Sequence, residues 1–248
     1  MSHLHERTAF VTGGARGIGA STANVLHGAG MNVVIGDVLD GTQVADSLGS
    51  SARFEPLDVT DADSWRKALA QAENAFGPID VLINNAGIVD FGGIESVTPA
   101  RFRRVLDVNL MGTFLGIYCA ADQLSRSGQG VVVNVSSTAG LLGYQGLASY
   151  VASKWGIRGL TKAAALDLSA KGIRVCSVHP GPIRTPMTEG IDDEVAANQP
   201  IARFGHPEEV AAMIRFIVTE ATYCTGSEFI VDGGATTGIG LVETVADT

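Results

Sequence analysis

The sequence predicts a single α/β domain, in which a doubly wound, seven-stranded parallel sheet is covered by helices on both faces. Three observations carry this expectation. Short β-branched runs alternate with longer helical patterns along the whole chain. A glycine-rich turn joins the first of those runs directly to the first helix. Hydrophobic residues make up 46% and charged residues 17% of 248 positions, enough apolar material for a sheet buried on both sides. No internal repeat, charge block or long Pro/Gly/Ser linker divides the chain, so residues 1–248 read as one domain with an irregular insertion at 180–199.

In chain order, the strands are expected at Thr8–Thr12, Asn32–Gly36, Arg53–Pro56, Ile79–Asn84, Gly130–Ser136, Ile173–His179 and Glu228–Val231. Each is a short run bounded by turn residues. Between them, helical patterns cover Gly17–Gly28, Thr42–Leu48, Asp61–Phe76, Pro99–Leu124, Ser149–Ala170 and Pro207–Val218. The fourth helix starts on an N-cap, Thr98, with Pro99 at its first position. Its apolar stripe runs through Phe102, Val105, Leu106, Thr113, Gly116 and Ile117, and Asn109 falls on that stripe. A carboxamide there is either a local staple or part of a polar site. Ser149–Ala170 is apolar or small nearly all round, which implies cover on more than its sheet side.

Composition excludes several classes. The formal net charge is −9 and no basic cluster exceeds Arg103-Arg104, so nothing would neutralise a nucleic-acid backbone. Cys119, Cys176 and Cys224 lie far apart, without the spacing of a zinc site or a disulfide framework. The first residues lack a basic segment leading into an apolar core, and no uninterrupted apolar run of spanning length occurs. These features predict a soluble protein of the reducing cytoplasm, with neither metal nor membrane.

The first strand runs into Thr12-Gly13-Gly14-Ala15-Arg16-Gly17-Ile18-Gly19, where glycines permit a tight turn and close backbone approach to a pyrophosphate at the helix start. Asp37 ends the second strand. A carboxylate at that point accepts hydrogen bonds from adenosine ribose hydroxyls and repels a 2′-phosphate, which favours NAD over NADP, with Arg16 as the counter-signal. Tyr150 and Lys154 are four apart on a helix and share a face, so the ammonium favours the phenolate. Ser136-Ser137 end the fifth strand at the carboxyl edge of the sheet, where such folds place ligands.

With these motifs in hand, the sequence resembles the short-chain dehydrogenase/reductase family, of Rossmann type, over nearly its full length. The resemblance is carried by Thr12-Gly13-xxx-Gly17-x-Gly19, Asp58-Val59, Asn84-Asn85-Ala86-Gly87, Asn109, Ser137, Tyr150-xxx-Lys154 and Pro180-Gly181-xxx-Thr185. It implies a catalytic set of Asn109, Ser137, Tyr150 and Lys154. It also implies that Asp58 and Val59 meet adenine, that Asn85, Ala86 and Gly87 line the cofactor cleft, and that Ile183 and Thr185 hold the nicotinamide carboxamide. Asn109 would then hold a water near Lys154. Segments such as Trp155–Leu160, Val178–Gly181 and Thr185–Thr188 look like the bacterial 3α/20β-hydroxysteroid dehydrogenase branch, and the family's commonest assembly is a homotetramer.

The implied chemistry is hydride transfer between a secondary alcohol and nicotinamide. Apolar neighbours of the tetrad are the expected substrate contacts: Val89, Leu141, Leu142, Tyr144, Met187 and Ile191, with Gly92 beside them. They suit a steroid or another bulky secondary alcohol. An NADPH-linked 3-oxoacyl-carrier-protein reductase, a dehydrogenase of a diol, sugar or terpenoid alcohol, and a silent dinucleotide-binding regulator are the competing readings. His179 and His206 lack ligand spacing and read as structural.

Overall fold

The computed structural model describes residues 7–238. The expectations for the first six residues and for the end of the chain beyond 238 lie outside them. Within them the sheet is the predicted one. β1 (Thr8–Thr12), β2 (Asn32–Asp37), β3 (Ala52–Pro56), β4 (Val81–Asn84), β5 (Val131–Val135), β6 (Arg174–Pro180) and β7 (Glu228–Val231) pair in the order β3-β2-β1-β4-β5-β6-β7. Every pairing is parallel. The chain builds outward from β1 to β3 and then returns to place β4 on the other side of β1. This switch opens a crevice at the carboxyl ends of the two strands.

β1 and β5 are buried at every position, as expected of strands covered on both faces. One core layer unites Val11, Val33, Ile35, Val133 and Val178 with Leu26, Val210 and Ile214, contributed by α1 (Gly17–Gly28) and α7 (Pro207–Thr219). The opposite layer packs Phe10, Val34, Leu82 and Val132 against Trp65, Leu69, Leu124 and Ala164. These come from α3 (Ala62–Phe76), α5 (Gly112–Arg126) and α6 (Ala148–Asp167). α2 (Thr42–Leu48) and α4 (Pro99–Leu106) complete the set. Trp65 is fully buried and its indole N–H donates to the Val59 carbonyl at 3.1 Å, so its ring adds apolar burial without an orphaned polar group.

The predicted helix Pro99–Leu124 is interrupted. Asp107–Met111 form a π turn between α4 and α5, which inserts one residue into the helical register and turns Asn109 inward. Pro99–Arg126 is the one described stretch long and apolar enough to cross a membrane; it contacts α3, α6, β4 and β5 as a wall of the fold. β4 begins at Val81 rather than Ile79, because the Ile79 N–H donates to Gln123 Oε1 at 3.1 Å. α6 ends at Asp167, and the remaining residues of that prediction form a 3₁₀ turn at Ser169–Lys171. In the 180–199 insertion, 3₁₀ turns at Pro186–Thr188 and Asp193–Ala196 punctuate an otherwise irregular path.

Candidate active site

The crevice at the switch point is a cleft of about 780 Å³, within the range of small-molecule and cofactor sites. One end is the glycine turn. Gly13 and Gly17 have positive φ, 62° and 58°, which only glycine adopts without strain. A Cβ on Gly13 would strike Ala86 Cα at 2.9 Å, and one on Gly19 would strike Gly13 O at 2.1 Å. Gly19 therefore packs the turn against its own helix and does not line the cleft, whereas Gly13, Arg16, Gly17 and Ile18 do. Arg16 stands at the N-cap of α1 and makes no side-chain cap. The helix's first-turn N–H groups are left for an anion, which is the arrangement a pyrophosphate uses.

Asn85 braces this turn from β4. Its amide donates to Thr12 O at 2.9 Å and Gly13 O at 3.1 Å. Asp37 fixes the turn from β2: Oδ2 accepts from Ala15 N–H at 3.0 Å and Oδ1 from Leu39 N–H at 3.0 Å. Each oxygen retains further acceptor capacity, and Asp37 lines the cleft. Asp58, Val59, Ala86, Gly87, Pro180, Gly181, Ile183 and Thr185 line the same cleft. The residues present thus fit a dinucleotide.

At the other end stand Ser137, Tyr150 and Lys154. Ser137 caps a 3₁₀ turn at Thr138–Gly140, and its hydroxyl accepts from Ala139 N–H at 3.1 Å. That leaves its proton available to the Tyr150 phenol, which lines the same wall of the cleft. Burial pushes the Tyr150 phenol above its ordinary pKa; the Ser137 hydrogen bond opposes this and nearby Tyr144 adds to it. The expected push of the ammonium toward phenolate does not prevail in the chain alone. Lys154 Nζ lies over the ring, 5.4 Å from its centroid, rather than at the hydroxyl. It donates to Val135 O at 2.9 Å, and burial pulls its pKa down to about 8.

Asn109 is fully buried and is a staple. Its Oδ1 accepts from Ile88 N–H at 2.8 Å, and its Nδ2 donates to Ile88 O and Ser153 Oγ, both at 3.0 Å. Both amide hydrogens are spent, so the expected water has only a lone pair of Oδ1 to donate to. That oxygen faces Lys154 across Gly87, where a built Cβ would meet Asn109 Oδ1 at 3.3 Å and Lys154 Nζ at 3.7 Å.

Of the expected substrate contacts, Met187 lines the cleft. Ile191 does not: Arg184 Nη1 donates to its carbonyl at 3.1 Å, and it belongs to a neighbouring hollow with Phe204 and His206. Val89, Leu141, Leu142 and Tyr144 stand off the cleft lining, with Ile88 in place of Val89. Their two loops are nonetheless tied together by a Gly92–Leu147 bridge and a 2.8 Å bond from Gly92 N–H to Gly146 O. Sequence reasoning missed Ala100, Arg103, Arg104, Asp107 and Val108, which also line the cleft. Their i, i+3, i+4, i+7, i+8 spacing marks one helix face, a signal written in the sequence itself.

A parallel sheet with this switch point, and a Ser, Tyr and Lys converging beside a glycine-turn cleft, define a dinucleotide-binding oxidoreductase. Comparison with known proteins sharpens the class. A family model described as enoyl-(acyl carrier protein) reductase matches residues 13–236. The chain is 42% identical to a 3-alpha-(or 20-beta)-hydroxysteroid dehydrogenase of Mycobacterium tuberculosis, over 94% of this chain and 90% of that one. It is 41% identical to a trans-4-hydroxycyclohexanecarboxylate dehydrogenase of Sinomonas cyclohexanicum, over 95% of each. It is 39% identical to a cyclohexanol dehydrogenase of an Acinetobacter species, over 94% of this chain and 96% of that one. The chain belongs to the short-chain dehydrogenase/reductase family and is an oxidoreductase acting on CH–OH with a nicotinamide cofactor.

Proposed function

We propose that the protein oxidises a secondary alcohol carried on a ring, a hydroxysteroid first among them, with NAD as hydride acceptor. The observation that carries this reading is the meeting of Ser137, Tyr150 and Lys154 on one wall of a cleft whose far end holds Asp37. The ring-alcohol names of relatives about 40% identical support the substrate class. Apolar side chains exposed on the described surface, Phe91 and Ile94 in one mouth loop, Leu142 and Tyr144 in the other, and Met187 beyond them, suit a bulky ring.

Bound nicotinamide supplies the hydride acceptor and, when oxidised, a positive charge near the phenol. Burial raises the Tyr150 phenol in the chain alone, and that added charge favours its ionisation. Its phenolate then takes the alcohol proton. Ser137 turns its proton from the phenol to the substrate oxygen and opposes charge build-up there. Lys154 has two hydrogens beyond the one given to Val135 O and directs them to the nicotinamide ribose. Asn109 holds the Ile88 backbone beside Lys154 and offers Oδ1 to a water on the proton's way out.

Asp37 selects NAD through charge repulsion with a 2′-phosphate and through its free lone pairs. The expected result is a kcat/KM for NAD well above that for NADP, and a narrowed ratio in Asp37→Ala. An NADP value equal to or above the NAD value would overturn the assignment. The cysteines are free, in keeping with the reducing cytosol. The exposed apolar side chains Phe114 and Tyr118 on α5, with Trp155 and Leu166 on α6, favour a homotetramer.

A further inference from the structure

Among the buried titratable groups to which the proposed chemistry gives no task is a histidine. His179, near the end of β6, is 0% exposed. Its Nδ1 lies 3.2 Å from the carbonyl oxygen of Ser137, and its Nε2 lies 2.9 Å from Ser177 Oγ. A carbonyl only accepts, so Nδ1 carries the hydrogen. Burial pulls the imidazole pKa below its ordinary value, opposed by the Ser137 contact, with smaller effects from Glu228, Arg158 and Lys154. The ring is therefore neutral at pH 7, and Nε2 accepts from the Ser177 hydroxyl. The Ser137 carbonyl fixes this tautomer, and the Ser177 hydroxyl, able to donate or accept, suits it.

The bonded carbonyl belongs to the residue whose hydroxyl faces Tyr150. Ser137 is fully extended, with φ −174° and ψ 166°, and its carbonyl also accepts from Gly140 N–H at 2.9 Å. The Ala139 N–H orients the hydroxyl itself. Rotation of the peptide following Ser137 would break the carbonyl bonds and displace the turn that supplies the Ala139 N–H. The Gly140 bond is local to that turn and moves with it, whereas the His179 bond ties the turn to the sheet.

We propose that His179 is a positioning residue: its Nδ1–H clamps the Ser137 peptide to β6 and so holds the Ser137 hydroxyl at the reacting oxygen. The inference rests on the role given to Ser137 above. It makes use of a histidine that sequence spacing alone marked as merely structural.

Two substitutions separate the ring's two bonds. In His179→Asn the side-chain amide nitrogen takes the position of Nδ1 and keeps the donor to Ser137. In His179→Gln it reaches the position of Nε2, touching Ser177 and leaving Ser137 unclamped. With NAD and a ring alcohol that the wild type turns over, chosen from cyclohexanol and a 3α-hydroxysteroid, Gln is expected to lower kcat about tenfold while Asn stays within about twofold. The KM for NAD should be unchanged in both. Equal losses, or the reverse order, would overturn the proposal. In a Ser137→Ala background the Gln substitution should add nothing; a further loss there would also overturn it. If Ser137→Ala alone keeps wild-type kcat, the role given to Ser137 fails instead. Nitrogen-15 NMR of the histidines in the full-length wild type needs neither variant nor substrate: a proton on Nδ1 of His179 is expected, and its absence would rule the clamp out.

Discussion

Lys154 is an ammonium enclosed with a carbonyl partner, and burial is the force that sets its pKa at about 8. An unfolded chain holds that proton up to about pH 10.4. Between these values the unfolded state binds more protons, so the lysine's cost to stability is full below about pH 8 and fades as pH rises toward 10.4. Lys154→Met removes the buried charge and forfeits one hydrogen bond. It should therefore stabilise the protein at pH 7 by about 1–2 kcal/mol while abolishing turnover and weakening NAD binding. Urea denaturation at pH 7 checks this, and a destabilised variant would contradict it. The Tyr150 and Lys154 pair was legible from spacing, since four residues on a helix share a face. The choice between adjacent serines becomes physical only in three dimensions: Ser136 Oγ is tied to Lys154 O at 3.0 Å, whereas Ser137 partners the phenol. Asn109 was legible as a polar residue on an apolar stripe, but its aim was not. That aim depends on the π turn.

At the scale of elements, the βα rhythm made every strand legible to within one or two residues: buried central strands such as β5 are written as β-branched runs, whereas β3, with no β-branched residue, shows by its place in the rhythm. The π turn at Asp107–Met111 leaves no such mark, since apolar periodicity does not record a single inserted residue. α6 and β7 are joined by charge rather than by apolar packing alone. Glu228 bonds Arg158 Nε at 2.8 Å and Lys162 Nζ at 2.7 Å, and these partners hold its carboxyl down at about 2. The pair's contribution to stability is complete above pH 4.5, the ordinary carboxyl value, and is lost as pH falls through about 2. Glu228→Gln should cost about 1–2 kcal/mol at pH 7, and the gap between variant and wild type should close near pH 2. Chemical denaturation across that window is the measurement. A gap independent of pH would show that the carboxylate's charge is not what joins the two elements.

The whole molecule places a dinucleotide crevice at the switch between β1 and β4, and leaves the outer faces of α5 and α6 rich in exposed aromatic and aliphatic side chains. The crevice was legible because topology follows from element order. The substrate mouth was less so, since loops carry no periodicity and only Met187 of the residues expected there lines the cleft. The apolar faces imply partners, and light scattering should return about four times the 25.7 kDa of one chain; a mass near that of one chain would contradict the tetramer. The proposed function makes Tyr150 the proton carrier in an NAD-linked oxidation of a ring alcohol. Its most direct test follows NADH formation by wild type and Tyr150→Phe with cyclohexanol, 4-hydroxycyclohexanecarboxylate and a 3α-hydroxysteroid, alongside NAD binding by calorimetry. The wild type should reduce NAD with at least one of them. The variant should lose a factor of about 10²–10⁴ in kcat with NAD affinity intact. Turnover retained in the variant, or a wild type inert toward all three, would contradict the proposed function.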